Sequence, residues 1–295
     1  MIRSTLRRFR DAALRDVYAQ YPARLQRQQT DNKAAQLSLQ MHYRALASTP
    51  GAQRPALTDV GFRQYSQCDE DGILLYLFSL IGTVNKTCVE ICAADGLECN
   101  TTNLIINHGW WGHLFDGSDA NVTRGRAFFS GHKDTFIHPP AFTQAWITAE
   151  GVNEVIERSG VSGRIDLLSL DLDGVDYWVW KAITIIDPVV VVCEVHNPVP
   201  PDVAVTVPYR QDFAVASFLD LFRGASLAAM VKLGAEKGYR LVGTNRYGFN
   251  AFFVKRGVGE ALLPEVSAES CARDPYTRAQ QARWPTVRDR EWVHV

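Results

Sequence analysis

A chain of 295 residues has room for one large or two small domains, and 46% hydrophobic with 21% charged residues is an ordinary globular composition. A formal net charge of -1 excludes nucleic-acid binding through bulk electrostatics. No run of about 18 apolar residues occurs, so no membrane-spanning helix is expected, and the basic residues 1–8 lack the apolar core of a secretion signal. The six cysteines (Cys68, Cys88, Cys92, Cys99, Cys193, Cys271) form no CxxC pair and lack the clustering of a zinc site; they read as reduced core thiols of a cytoplasmic protein.

Residues 1–60 read as an N-terminal helical extension. Leu6, Phe9, Ala13, Val17 and Tyr21 recur at helical spacing up to Pro22, giving an Arg-faced amphipathic helix and a candidate homodimer contact. Residues 48–55 read as a loop. The main domain, 61–258, opens with Ser66 or Asp69 as the cap of a helix whose apolar face is Leu74, Leu77, Phe78 and Ile81. A buried strand, 88–92, runs into the small turn Ala93-Ala94-Asp95-Gly96 and a helix over 101–108. A second strand, 110–117, ends in Asp116, and a helix is expected over 119–129. Residues 135–137 read as a weak third strand, broken by Pro139-Pro140. A helix near 152–157, a strand over 165–174 and a helix over 176–183 follow. The β-branched run 188–197 is what a strand buried on both faces looks like. Residues 198–208, rich in proline, read as a loop over the site. A helix over 226–237, the antiparallel hairpin 239–244 and 251–255, and a surface tail, 259–295, complete the chain.

Strands alternating with helices imply a doubly wound, mostly parallel α/β sheet, which binds ligands beyond the carboxyl ends of its strands. That rim gathers Asp95, Asp116, Asp171, Asp173, Glu194, His196 and Asn197. The first turn has one glycine, Gly96, flanked by Glu90 and Asp95, so it is a poor cradle for a pyrophosphate. It suits a ligand with hydroxyls and positive charge, as S-adenosylmethionine has. Asp116 ends the second strand, where a carboxylate accepts hydrogen bonds from both ribose hydroxyls. Phe142 and Thr143 stand where an adenine stacks and is hydrogen bonded. His196 is a candidate general base; alternatively Asp171, Asp173, Glu194 and Asn197 hold Mg²⁺ through oxygen ligands. Trp178, Tyr247 and Phe249 are a candidate acceptor wall. No GxSxG supports a hydrolase.

At Ser66-Gln67 with Glu70-Asp71-Gly72, VEICAADG (89–96), LFDG (114–117), IDLLSLDLDGVD (165–176), VVVVCEVHN (189–197) and GYRLVGTNRYGFNAFFV (238–254), the chain resembles the FkbM-like class I S-adenosylmethionine-dependent methyltransferases. The resemblance covers about residues 62–254. It implies a seven-stranded Rossmann-like sheet with a reversed edge hairpin. It also implies that Glu90, Asp95 and Gly96 line the methionine end and that Asp116 meets the ribose; Ala93 and Gly117 beside them are further candidates for cofactor contact, and Asp171 is a candidate for both cofactor contact and catalysis. The chain departs at Ala93-Ala94, where the turn is usually richer in glycine, at Ser169, where the family has lysine, and at Asp173-Gly174, where it has Glu-Gly. The expectation is an O-methyltransferase acting on a hydroxyl of a sugar or another small-molecule acceptor. The alternative is a non-catalytic binding or scaffolding protein that kept the fold.

Overall fold

The computed structural model describes residues 32–214 and 220–295. The chain divides into residues 1–39 and 40–295. The amphipathic pattern expected over 6–21 lies outside the described residues. Among the described residues, the first unit contributes the start of helix α1 (Lys33–Ser48), and the sheet belongs to the second.

Elements then alternate. After α2 (Leu57–Val60) come α3 (Glu70–Ile81), β1 (Thr87–Ile91), α4 (Thr102–His108), β2 (Trp111–Asp116), α5 (Asp119–Gly131), β3 (Ala141–Gln144), α6 (Val152–Arg158), β4 (Gly163–Leu170), α7 (Asp176–Ala182) and β5 (Ile186–Glu194). Beyond the short β6 (Val205–Thr206) stand α8 (Leu227–Glu236), β7 (Tyr239–Thr244) and β8 (Asn250–Lys255). The sheet order is β3-β2-β1-β4-β5-β8-β7; all neighbours from β3 to β5 pair in parallel, whereas β8 runs antiparallel to β5 and to β7. This is a doubly wound α/β sheet with a reversed edge hairpin.

Period-two alternation explains why the sheet is covered on both faces. Leu114, Leu167, Val190, Val192, Phe252 and Val254 pack on one side with Ile73, Leu77, Leu104 and Val122. Their neighbours Phe115, Leu168, Val191, Cys193 and Phe253 pack on the other with Ile156, Val179, Trp180, Met230 and Leu233. Each such side chain, fully buried, contributes on the order of 2 kcal/mol. Polar groups pin the loops to this core. Buried Asp166 on β4 accepts the N–H groups of Val84, Asn85 and Lys86, fixing the approach to β1. Asp71 accepts the N–H groups of Gln64, Tyr65 and Ser66, while the Ser66 hydroxyl accepts the Asp71 N–H. Burial pushes the Asp71 carboxyl up to about 6 against those hydrogen bonds.

Four expectations change. The third strand is Ala141–Gln144, starting directly after Pro139-Pro140, and 135–137 is turn. It is an edge strand, where a preceding proline costs no ladder hydrogen bond. The supposed extension is not all separate: Tyr43 packs edge-on against Tyr76 at 4.8 Å, and Leu57 and Val60 join the core. Residues 198–208 are not all loop, because β6 pairs antiparallel with β9 (Val293–His294). The tail is therefore not merely laid on the surface; it carries α9 (Ala268–Cys271), α10 (Pro275–Gln281) and Trp292, buried with Val199, Val205 and Val207. Among the described residues, no helix is long and apolar enough to cross a membrane.

Candidate functional site

The carboxyl ends of β1, β2 and β4 open into a cleft of about 360 Å³. Its walls include Glu90, Cys92, Ala94, Asp116, Asp171 and Asp173, with the amides Gln67, Asn100 and Asn250 among them. Two left-handed positions at the turn after β1 are held without glycine, with φ +64° at Cys92 and +47° at Ala94. Ala93 is buried beneath it, donating to the Phe115 carbonyl, so Ala94 and not Ala93 meets the cleft. Gly96, at φ +74°, has the Phe129 ring 2.6 Å from where a Cβ would stand. Asp95 turns towards α5, where its Oδ2 lies 3.3 Å from Arg124 Nε. Glu90 lines the cleft, but its oxygens are engaged: Oε1 accepts the Asn100 N–H at 2.8 Å, and Oε2 accepts the Thr101 N–H at 2.8 Å and hydroxyl at 2.5 Å. It is first of all the cap of α4.

Asp116 has a different balance. Oδ1 accepts the Ser118 N–H at 2.8 Å and Asn121 Nδ2 at 2.9 Å, which fixes the carboxylate. Oδ2 accepts no hydrogen bond from the described residues, and the residue lines the cleft. Beside it, Gly117 leaves space for the ring of Trp146, which would come within 3.0 Å of a Cβ there. Trp146 is 57% exposed and donates Nε1–H to the Gln211 carbonyl.

The third component is a knot of acids. One carboxylate oxygen each from Asp171, Asp173 and Glu194 lie within 4.8 Å of one another. Asp173 sits at φ +57°, in a turn closed by Asp176, which accepts the Leu172 and Gly174 N–H groups. Arg223 pairs with Asp173 at 2.9 Å. Asp171 touches solvent yet is enclosed by protein atoms; burial first, then the charges of Asp176, Asp173 and Glu90, hold its carboxyl well above the usual range. Glu194 is raised in the same direction, by burial and then by Asp171, Asp176 and Asp173, while Asp176 is pushed up to about 6, chiefly by burial. Carboxylates so crowded either hold protons or are balanced by a cation.

Several expected members are elsewhere. His196 is 7% exposed, does not line the cleft, and stands with Nε2 2.6 Å from the Leu221 carbonyl and its ring 6.3 Å from Trp292. A carbonyl only accepts, so Nε2 carries the proton; burial pushes the imidazole down to about 4. β5 ends at Glu194, and beyond the strand the two-residue period no longer keeps His196 on the face of Glu194. Asn197 donates Nδ2–H to the Tyr247 carbonyl and does not line the cleft. Phe142 is buried against Phe129 under the first turn, and neither it nor Thr143 lines the cleft. Tyr247 and Phe249 cluster with Tyr276, and Trp178 donates to the Val207 carbonyl; none of the three expected wall aromatics lines the cleft. Sequence reasoning missed Gln67, Asn100 and Asn250 as cleft residues; Gln67 and Asn250 fall in stretches that carry the resemblance, but no pattern there marks an amide as facing the cleft.

No protein-family model matches the chain, and no curated protein does. Among solved structures, it is similar to the N-terminal domain of EvdMO1 in the presence of S-adenosylhomocysteine and D-fucose, at 13% identity and TM-score 0.42 over 77% of this chain and 96% of that one. It is also similar to the glycopeptide N-methyltransferase MtfA complexed with S-adenosylhomocysteine, at 12% identity and TM-score 0.40 over 67% and 93%. A third is the CcbJ methyltransferase from Streptomyces caelestis, at 12% identity and TM-score 0.37 over 61% and 87%. Overlaps this loose carry nothing about activity.

Proposed function

We propose that the chain is an S-adenosylmethionine-dependent O-methyltransferase acting on a hydroxyl of a small, hydroxylated acceptor such as a sugar. The observation that carries this reading is Asp116: a carboxylate held by one oxygen, with the other open to a cleft walled by further acids. The FkbM-like resemblance supports it, as does a strand order that puts Asp116, Asp171 and Glu194 on one rim. The fit is chemical. A ribose diol supplies two donors to Asp116, and a ligand bearing sulfonium and ammonium charge relieves the crowding of Asp171, Asp173 and Glu194.

S-adenosylmethionine, when bound, supplies an electrophilic methyl group. What the chain contributes is position and a place for the proton. Asp171 or Glu194 takes the proton of the acceptor hydroxyl, a role favoured by carboxyls held above their ordinary range. His196 is outside this chemistry. The three acids also fit a hard divalent ion such as Mg²⁺ by donor type, with Asp173 shared with Arg223; such an ion polarises a hydroxyl.

The test is to incubate the protein with S-adenosylmethionine, methyl-labelled, and a panel of sugars and phenols. The expected result is label in an ether product with matching release of S-adenosylhomocysteine, both lost in Asp171→Asn. Binding of the nucleoside without any transfer would instead support the scaffolding alternative.

A further inference from the structure

Asn250, the first residue of β8, lines the acidic cleft and is 3% exposed. Its amide nitrogen donates to Glu70 Oε1 at 2.9 Å. The same oxygen accepts Asn245 Nδ2 at 2.7 Å, and Glu70 Oε2 accepts the Cys68 N–H. The Asn250 backbone is equally fixed, since its N–H donates to Asn245 Oδ1 and its carbonyl accepts the Asn245 N–H. Turning the amide over would set Oδ1 against the Glu70 carboxylate, so its orientation is determined by charge. Yet Oδ1 is buried and accepts no hydrogen bond from the described residues. A buried, immobilised acceptor without a donor is unusual, and calls for a partner that is not part of the protein fold.

The surroundings define that partner. Asn250 faces Glu194 directly across the antiparallel pair of β5 and β8, so the two side chains leave the same face of the sheet. Glu194 belongs to the knot with Asp171 and Asp173. A donor reaching Asn250 Oδ1 therefore lies beside carboxylates, and a cationic N–H is favoured there over a neutral O–H.

We infer that Asn250 is a ligand-recognition residue whose Oδ1 accepts a hydrogen bond from the ammonium group of the amino-acid tail of the nucleoside donor. This rests on the function proposed above. The residue sets specificity for the tail; it does not take part in methyl transfer.

The test compares S-adenosylhomocysteine with 5′-methylthioadenosine, the same thioether nucleoside without the amino-acid tail, by calorimetry. Wild type is expected to favour S-adenosylhomocysteine. Asn250→Ala should weaken S-adenosylhomocysteine by about tenfold while leaving 5′-methylthioadenosine unchanged, which also shows the variant folded. Asn250→Asp keeps an acceptor at Oδ1 but sets its second oxygen against Glu70 Oε1, so it should lose stability while retaining the preference for the tailed nucleoside. A purely structural role predicts the reverse, with Asp at least as damaging as Ala and both nucleosides weakened together; that result overturns the inference, as does an unaffected preference in Asn250→Ala. If the Ala variant does not fold, the Asp variant decides alone, since loss of the tail preference there overturns the inference. Failure of wild type to bind either nucleoside would instead remove the proposed function itself.

Discussion

Glu90 caps the helix that follows it: its Oε2 accepts both the N–H and the hydroxyl of Thr101, at 2.8 and 2.5 Å. A residue expected for ligand contact thus holds the fold together at the floor of the cleft. Glu90→Ala strands the N–H groups of Asn100 and Thr101 in a buried place. It should cost about 2–4 kcal/mol in urea unfolding, from a charged acceptor and a lost cap. A variant as stable as wild type would mean that the carboxylate serves the ligand alone.

Cys92 takes a left-handed conformation that glycine adopts freely. Cys92→Gly relieves that strain at some loss of chain stiffness, so stability should change by no more than about 1 kcal/mol, towards greater stability. A clearly destabilised Cys92→Gly protein would show that the thiol is packed rather than merely tolerated.

The raised carboxyls give ligand binding a pH signature. Asp171 and Glu194 gain negative charge only above the ordinary carboxylate range. S-adenosylmethionine carries a sulfonium charge that S-adenosylhomocysteine lacks. The ratio of their affinities should therefore shift towards S-adenosylmethionine as pH rises through the elevated range, by on the order of tenfold. A ratio that stays flat as pH rises above the ordinary carboxylate range would separate these acids from the sulfonium.

His196 predicts a dependence of the same sign, in stability. Its folded value, about 4, lies below the ordinary 6.5, so the unfolded chain binds the extra proton first as pH falls. The stability it contributes is fully present above the ordinary value and is lost between there and about 4, by about 3 kcal/mol. Arg223, Arg283 and Asp220 act on the same imidazole, and Asp71 and Asp176, raised to about 6, oppose the trend by favouring the folded state at low pH. The quantity to measure is thus the difference between wild type and His196→Gln in urea midpoint against pH. Equal slopes would contradict the buried, neutral imidazole.

The parts legible in the sequence were those set by local periodicity. Leu167-Leu168 and Val190-Val191-Val192 alternate between the two cores, so the strands and their carboxyl-end acids could be read directly. Asp116, Asp171 and Asp173 fell in place because each closes a strand or the turn just beyond it. The same rule failed at His196, two residues past the end of β5, where pairing no longer enforces alternation. Asn250 was not legible, because its meaning depends on Glu70, 180 positions away. Phe142 showed an aromatic at a strand but not which face it takes; the structure turns it under Gly96 and Gly125.

The central claim is that a nucleoside donor lies in the acidic cleft with its ribose on Asp116. Calorimetry of S-adenosylhomocysteine against wild type and Asp116→Ala tests it most directly. The account predicts one site per chain, weakened in the variant by about 1–3 kcal/mol. Equal affinity in the two proteins, or no binding to wild type, would contradict it.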